Sequence, residues 1–202
     1  MELVIHKHFT IQPKESFFSH FYSVPIWEIE LQGYDINNLE FESLVKDQNN
    51  YNTIKFSEKV FRYYYEGGKD DAVHMIKRQN FKEKIIDTIS TTQEFKEKYV
   101  KDISEIRNDF IQFTNIILDY PSFYINPHID NVDIVVQCIV NLIQDNETST
   151  EFYTSDSNKP VYQAPKKKNH GVMFLNTHGS IHGIRNIKDY RWIWYSGLKT
   201  KL

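Results

Sequence analysis

The stretch YPSFYINPHIDNVDIVVQCIVNLI, residues 120–143, is where the chain changes texture. Upstream of Leu118, apolar residues recur at helical spacing among charged ones. From here on, short runs rich in Ile, Val, Tyr, Phe and Trp alternate with polar turns. The runs predict strands at 121–130, 133–143, 150–154, 160–163, 171–176, 180–187 and 191–198. With no helix-length pattern between them, these short strands call for a mainly β barrel or jelly roll rather than alternating β and α units.

Working outward toward the N-terminus, Val24, Ile26, Ile29 and Leu31 place a strand over Tyr22 to Leu31. Gly33 to Asn37 reads as a turn, Leu39 to Val45 as a short helix and Gln48 to Asn52 as a loop. Ala72, Val73, Ile76, Phe81, Ile85, Ile86 and Ile89 predict a helix near 70–89. Thr91 with Glu94 has the spacing of a capping box, and Phe95, Tyr99, Ile103, Ile106 and Phe110 form the stripe of a second helix near 92–111. These helices are expected to buttress one sheet, whose outer face would otherwise be apolar and wet. There is no internal repeat and no linker. A single domain, 1–202, is expected, with 1–117 as N-terminal strand and helical support and 118–202 as the β core that carries the site.

Composition narrows the function class. With 24 Lys and Arg against 27 Asp and Glu, the formal charge is -3, so no overall positive field draws the chain to nucleic acid or anionic lipid. The single cysteine, Cys138, cannot form an internal disulfide, and its apolar neighbours suggest a buried, inert thiol. Met1 to Thr10 lacks the apolar stretch of a secretory signal, and no run approaches the roughly 20 apolar residues of a membrane span. A soluble, cytoplasmic protein is expected.

The chemistry concentrates in His128-Ile129-Asp130. Residues two apart on a strand project from one face, so both side chains could bind one ion. His182 follows 52 positions after Asp130 in a second strand-like run, and Arg191 stands nine residues further on, opening the last strand. Two histidines and one carboxylate cap one face of an octahedral ion and leave three positions open, the arrangement of non-haem iron(II) oxygenases. His178 is the alternative third ligand if its stretch is helical, although Gly179 and Gly183 favour a loop. Arg185 is the alternative to Arg191, only three residues from the ligand. His6, His8, His20, His74 and His170 have no carboxylate at a useful spacing and are expected to be ordinary histidines.

In this ordered series of His-x-Asp, distal His and late basic residue, the chain resembles the 2-oxoglutarate-dependent oxygenases, and among them the prolyl 4-hydroxylase-like branch, over roughly residues 118–200. The resemblance implies a double-stranded β-helix, the cupin-like jelly roll. It also implies iron(II) on His128, Asp130 and His182, 2-oxoglutarate and dioxygen as cosubstrates, and Arg191 as partner of the distal carboxylate of 2-oxoglutarate. Retention of Asp130 implies hydroxylation rather than halogenation. Where relatives often carry Ser or Thr two residues after the arginine, this chain has Ile193. Strand phase adds Tyr124 and Asn126 on the face of His128, and Gln137 and Asn141 together on the next strand, as candidate cosubstrate contacts. A peptide or small-molecule substrate is expected, with prolyl residue, amino acid and metabolite all open. Its contacts are expected on the N-terminal segment and on loops near 145–170. Nothing in the sequence speaks to oligomeric state. A zinc hydrolase on the same barrel, a non-catalytic binding barrel and a nucleic-acid demethylase are the competing readings. A buried cation in the last strand favours the oxygenase over the first two, and acidity counts against the third.

Overall fold

The computed structural model describes residues 1–13, 22–33, 51–57, 60–65, 72–99, 107–143, 147–185 and 187–201. Alternation of apolar and polar residues builds β1 (Glu2–Ile11) and β2 (Val24–Gln32), paired antiparallel. β3 (Tyr51–Ser57) and β4 (Val60–Tyr65) form a hairpin. Three short helices follow: α1 (Ala72–Lys77), α2 (Lys82–Ile89) and α3 (Gln93–Lys98). The rest is β5 (Phe110–Asp119), β6 (Ile125–His128), β7 (Ile134–Asn141), β8 (Glu151–Phe152), β9 (Tyr162–Gln163), β10 (His170–Leu175), β11 (His182–Ile184) and β12 (Arg191–Thr200).

The strands form two sheets, a large one in the order β1-β2-β10-β7-β12-β5-β4-β3 and a small one in the order β6-β11-β8-β9. Every pairing is antiparallel. The result is a two-sheet jelly roll with a helical layer behind it. Between the sheets lie Val24, Ile26, Ile117, Ile139, Phe152, Val172, Phe174 and Ile193. On the other face of the large sheet, Ile76, Ile85, Ile86, Ile89 and Phe95 of the helical region pack against Phe110, Cys138, Trp192 and Trp194. The expected buttressing is therefore present, and Cys138 is buried with burial pushing its thiol up. No helix among the described residues is long and apolar enough to cross a membrane.

Several expectations need correction. The helix foreseen over 70–89 is two helices, because Gln112 reaches in between them. Its side chain accepts from the Phe81 amide (2.7 Å) and donates to the Gln79 carbonyl (2.8 Å), which holds the break open. The cap of α3 is Thr92, whose hydroxyl accepts from the Phe95 amide, whereas Thr91 donates back to Thr88. Of the second helix the described part is α3, which ends at Lys98; Ile103 and Ile106 of its stripe lie outside the described residues. Residues 107–109 form a 3-10 turn and Phe110 opens β5, so the stripe that placed Phe110 on a helix was extended into a strand. β1, β3, β4 and β5 were not foreseen, and residues 51–52, read as loop, belong to β3. The large sheet thus recruits five strands from before residue 120. The turn expected at Gly33 has that residue at φ 70°, but most of it and the helix expected at 39–45 lie outside the described residues.

Candidate metal centre

His128 ends β6 and His182 opens β11, and the two are direct partners across the small sheet. Asp130 lies just beyond β6, in the turn toward β7. Its two oxygens sit 3.3 Å from His128 Nε2 and 3.3 Å from His182 Nε2. One ligand atom from each residue falls within 4.8 Å of the others, which suits a single ion. Both imidazoles are oriented by the backbone. His128 Nδ1 donates to the Asn126 carbonyl (2.8 Å) and His182 Nδ1 to the Ser180 carbonyl (2.9 Å), which leaves each Nε2 lone pair directed at the site.

Burial raises the Asp130 carboxyl, but hydrogen bonds and charge from the two histidines outweigh it and hold the group below the usual carboxylate range. The Asp130 bond in turn raises His128, against partial burial. Gln137 donates its amide to Asp130, so this strand-phase candidate positions a ligand. Of the alternatives, His178 is outside the ligand cluster, on the surface with its ring 6.4 Å from that of Tyr22. Arg185 is a surface residue paired with Glu151 at 2.8 Å.

Arg191 is 3% exposed. Strand register places it opposite Asp119 on β5, and Asp119 opposite Arg62 on β4, so one buried carboxylate lies between two guanidinium groups. Arg62 takes it in a fork, with Nε at 2.5 Å and Nη2 at 2.9 Å, and rests its guanidinium 4.4 Å over the Phe123 ring. Arg191 approaches Asp119 only to 3.6 Å. Its remaining contacts are neutral acceptors, Asn141 Oδ1 at 3.3 Å and Thr150 Oγ1 at 3.2 Å. Burial, aided by Arg62 and only partly opposed by Asp119, brings Arg191 down to about 10, still charged at neutral pH. The trio therefore carries a net positive charge away from water, an arrangement that is costly without an anion.

One cavity joins the two halves of the site, with His128, Asp130, His182 and Thr150 on the small-sheet wall and Arg62 and Arg191 on the large-sheet wall. Ile193 and Tyr195 of β12 also line it. Arg62 and Thr150 escaped sequence reasoning. For Arg62 a signal existed in the aromatic and β-branched run Val60 to Tyr65, which reads as a strand; for Thr150 there was none. Tyr124 and Asn126, by contrast, are exposed and do not line the cavity. The reason is a β-bulge. Between the pairs His182–His128 and Ile184–Ile125 the register shifts, so Ile125 takes the inward position that simple alternation gives to Tyr124.

A groove of about 320 Å³ adjoins Asp130 on the outside, formed by Glu94, Glu97 and Lys98 of α3 with Ile129, Val132 and His178.

The fold matches solved structures. A prolyl-4-hydroxylase from Pseudomonas putida is similar at TM-score 0.52 and 11% identity, over 82% of this chain and 85% of that one. A Trichoplax adhaerens prolyl hydroxylase, in complex with a hypoxia inducible factor oxygen degradation domain peptide fragment, is similar at TM-score 0.51 and 13% identity, over 82% of each chain. No protein-family model and no curated protein matches the chain. At such identities the likeness establishes the fold, a double-stranded jelly roll of the prolyl hydroxylase kind.

Proposed function

We propose that this protein is an iron(II)- and 2-oxoglutarate-dependent dioxygenase that hydroxylates a prolyl residue, an amino acid or a small metabolite. The observation that carries the reading is the pairing across one cavity: a His-Asp-His set on the small sheet and a buried, incompletely neutralised arginine on the large one. The donor set fits iron(II), with two imidazoles whose Nδ1 is held by a backbone carbonyl and whose Nε2 faces the site, and one carboxylate between them. A zinc hydrolase on the same scaffold would have no use for the Arg62–Asp119–Arg191 row. Bound iron, with 2-oxoglutarate and dioxygen, would supply the oxidation and yield succinate and carbon dioxide.

The residues of the chain have separable tasks. His128, Asp130 and His182 hold the metal on one side of the cavity, and Gln137 steadies Asp130. Arg191 anchors the distal carboxylate of the cosubstrate through a charge-assisted contact, which selects a dicarboxylate over a monocarboxylate of similar shape. Arg62 occupies Asp119 and so leaves Arg191 available. Thr150 and Tyr195 stand in for the hydroxyl that Ile193 cannot provide, while Asn141 orients the Arg191 guanidinium. The groove beside Asp130, lined by residues of α3, is where substrate would lie, and the peptide complex of the Trichoplax protein makes a peptide one candidate.

The test is a titration of 2-oxoglutarate into the anaerobic iron(II) protein, followed by the metal-to-ligand absorption band, with succinate release then screened over prolyl peptides and amino acids. A saturable band is expected. Its absence in a protein that holds one iron would overturn the reading.

A further inference from the structure

β10 links the site just described to a second cluster. At one end, the Phe174 ring lies 4.9 Å from that of His182. At the other end, the strand begins with His170, directly opposite Glu30 of β2. With about 3.3 Å of rise per residue, the four-residue interval separates the two places by roughly 13 Å. The neighbour of β2 on its other side is β1, whose register shifts between Ile5 and Lys7, and His6 sits at that irregularity. Three adjacent strands thus bring His6, Glu30 and His170 together, with one ligand atom from each within 4.8 Å of the others.

The local geometry matches what a metal ion needs. His6 Nε2 lies 2.8 Å and His170 Nε2 3.8 Å from the same oxygen, Glu30 Oε2. The two imidazoles are nearly parallel, 4° apart with centroids at 5.9 Å, so both present their Nε2 edge to that oxygen. His170 Nδ1 donates to the carbonyl of Lys168, two residues back, at 2.9 Å. This is the contact that His128 and His182 make at the first site, and it again leaves Nε2 free as a ligand. Gln32 donates to Glu30 Oε2 at 3.1 Å and orients the carboxylate. As a metal-free ion pair at the surface, the trio would contribute little to stability, because solvent screens exposed charges.

We infer that His6, Glu30 and His170 form a second divalent-metal site, of zinc type, that clasps edge strand β1 through β2 to β10. Two imidazoles and one carboxylate satisfy three positions of a tetrahedral zinc ion at about 2.0 to 2.2 Å, and the half-exposed side of His6 leaves the fourth for water. The same ligands favour zinc over iron(II) by the general order of affinities. An edge strand carries unpaired backbone groups and frays readily, and a metal bridge across three strands opposes both. The site is independent of the oxygenase reading, since none of its residues lines the cavity of the first site.

The test uses the tag-free full chain with the first site removed, His128→Ala/His182→Ala, titrated with zinc alone. One zinc per chain is expected, and cobalt(II) in its place should give the visible spectrum of a four-coordinate ion without thiolate bands, since Cys138 is buried. Adding Glu30→Gln or His170→Ala should weaken zinc binding on the order of 100-fold or more, beyond what loss of an orienting partner does. In the otherwise unaltered protein, His6→Ala/His170→Ala should lower zinc stoichiometry from two to one and abolish the part of the zinc-induced rise in Tm that the first site does not supply. No zinc on the His128→Ala/His182→Ala chain, or the same affinity after both Glu30→Gln and His170→Ala, overturns the inference; so does an unchanged stoichiometry in His6→Ala/His170→Ala.

Discussion

Arg191 and Arg62 share one carboxylate, and their inequality makes the site. Arg62 holds Asp119 by two short contacts, while Arg191 approaches it only to 3.6 Å and is incompletely neutralised. Arg191→Ala should leave iron bound and weaken 2-oxoglutarate by about 30-fold or more, the equivalent of about 2 to 5 kcal/mol for a lost charged contact in a dry pocket. Arg191→Lys should recover part of this, since charge returns without the fork. The anaerobic titration reads both, and equal affinity in the alanine variant would remove Arg191 from the role. Arg62→Met makes a second, less obvious prediction. With its competitor gone, Arg191 can close on Asp119, so 2-oxoglutarate affinity should fall about tenfold although the charge of Arg191 is intact. Because Arg191 compensates Asp119, urea denaturation should show a stability loss below the about 3 to 5 kcal/mol typical of a broken buried pair.

At the scale of elements, the bulge between β6 and β11 decides which side chains meet. Gly183 lies inside it, next to His182, and a Cβ there would sit 2.6 Å from the Ile125 carbonyl oxygen. Gly183→Ala should push β11 off β6 and turn His182 away, lowering metal affinity at least about tenfold, as when a ligand loses its orienting partner. Iron or manganese titration with circular dichroism as a check on folding would show it, and unchanged affinity would mean that the bulge tolerates the methyl group. The helical layer makes a separate prediction. Phe95 of α3 is 1% exposed, between Tyr99 at 4.9 Å and Phe110 at 6.3 Å between ring centroids. Phe95→Ala should cost about 3 to 5 kcal/mol in urea denaturation, because a cavity opens between helix and sheet.

For the molecule as a whole, the proposed metal ligands lie on the small-sheet side and the proposed cosubstrate anchor on the large sheet. Among the described residues, Gln137 to Asp130 and Arg191 to Thr150 are polar links between the two walls. A metal with 2-oxoglutarate would complete a bridge between the sheets. In thermal melts, 2-oxoglutarate should therefore stabilise the protein only when a divalent metal occupies the first site. At 100 times its Kd the gain should be about 2.7 kcal/mol, or about 5 to 10 °C in Tm for a chain of this size. A similar rise without metal, or in Arg191→Ala, would contradict the bridge.

What could be read from residues alone follows from what is local. Period-two runs after Leu118 located β6 to β12, the helical stripes placed a buttressing layer, and the short His128-x-Asp130 spacing with the two later residues picked out the cluster that the fold assembles. These signals survive in sequence because side-chain direction along a strand and one turn of helix are set by neighbouring backbone. What tertiary structure decided is whatever depends on partners far apart in the chain. Arg62 meets Asp119 only because β4 pairs with β5, and Thr150 meets Arg191 only because the small sheet folds over the large one. His6, Glu30 and His170, each unremarkable by spacing, converge because β10, far along the chain, pairs with β2 on the side away from β1. Tyr124 points to solvent because one bulged residue reverses alternation, and a bulge is chosen by the register of two strands together rather than by either one's residues.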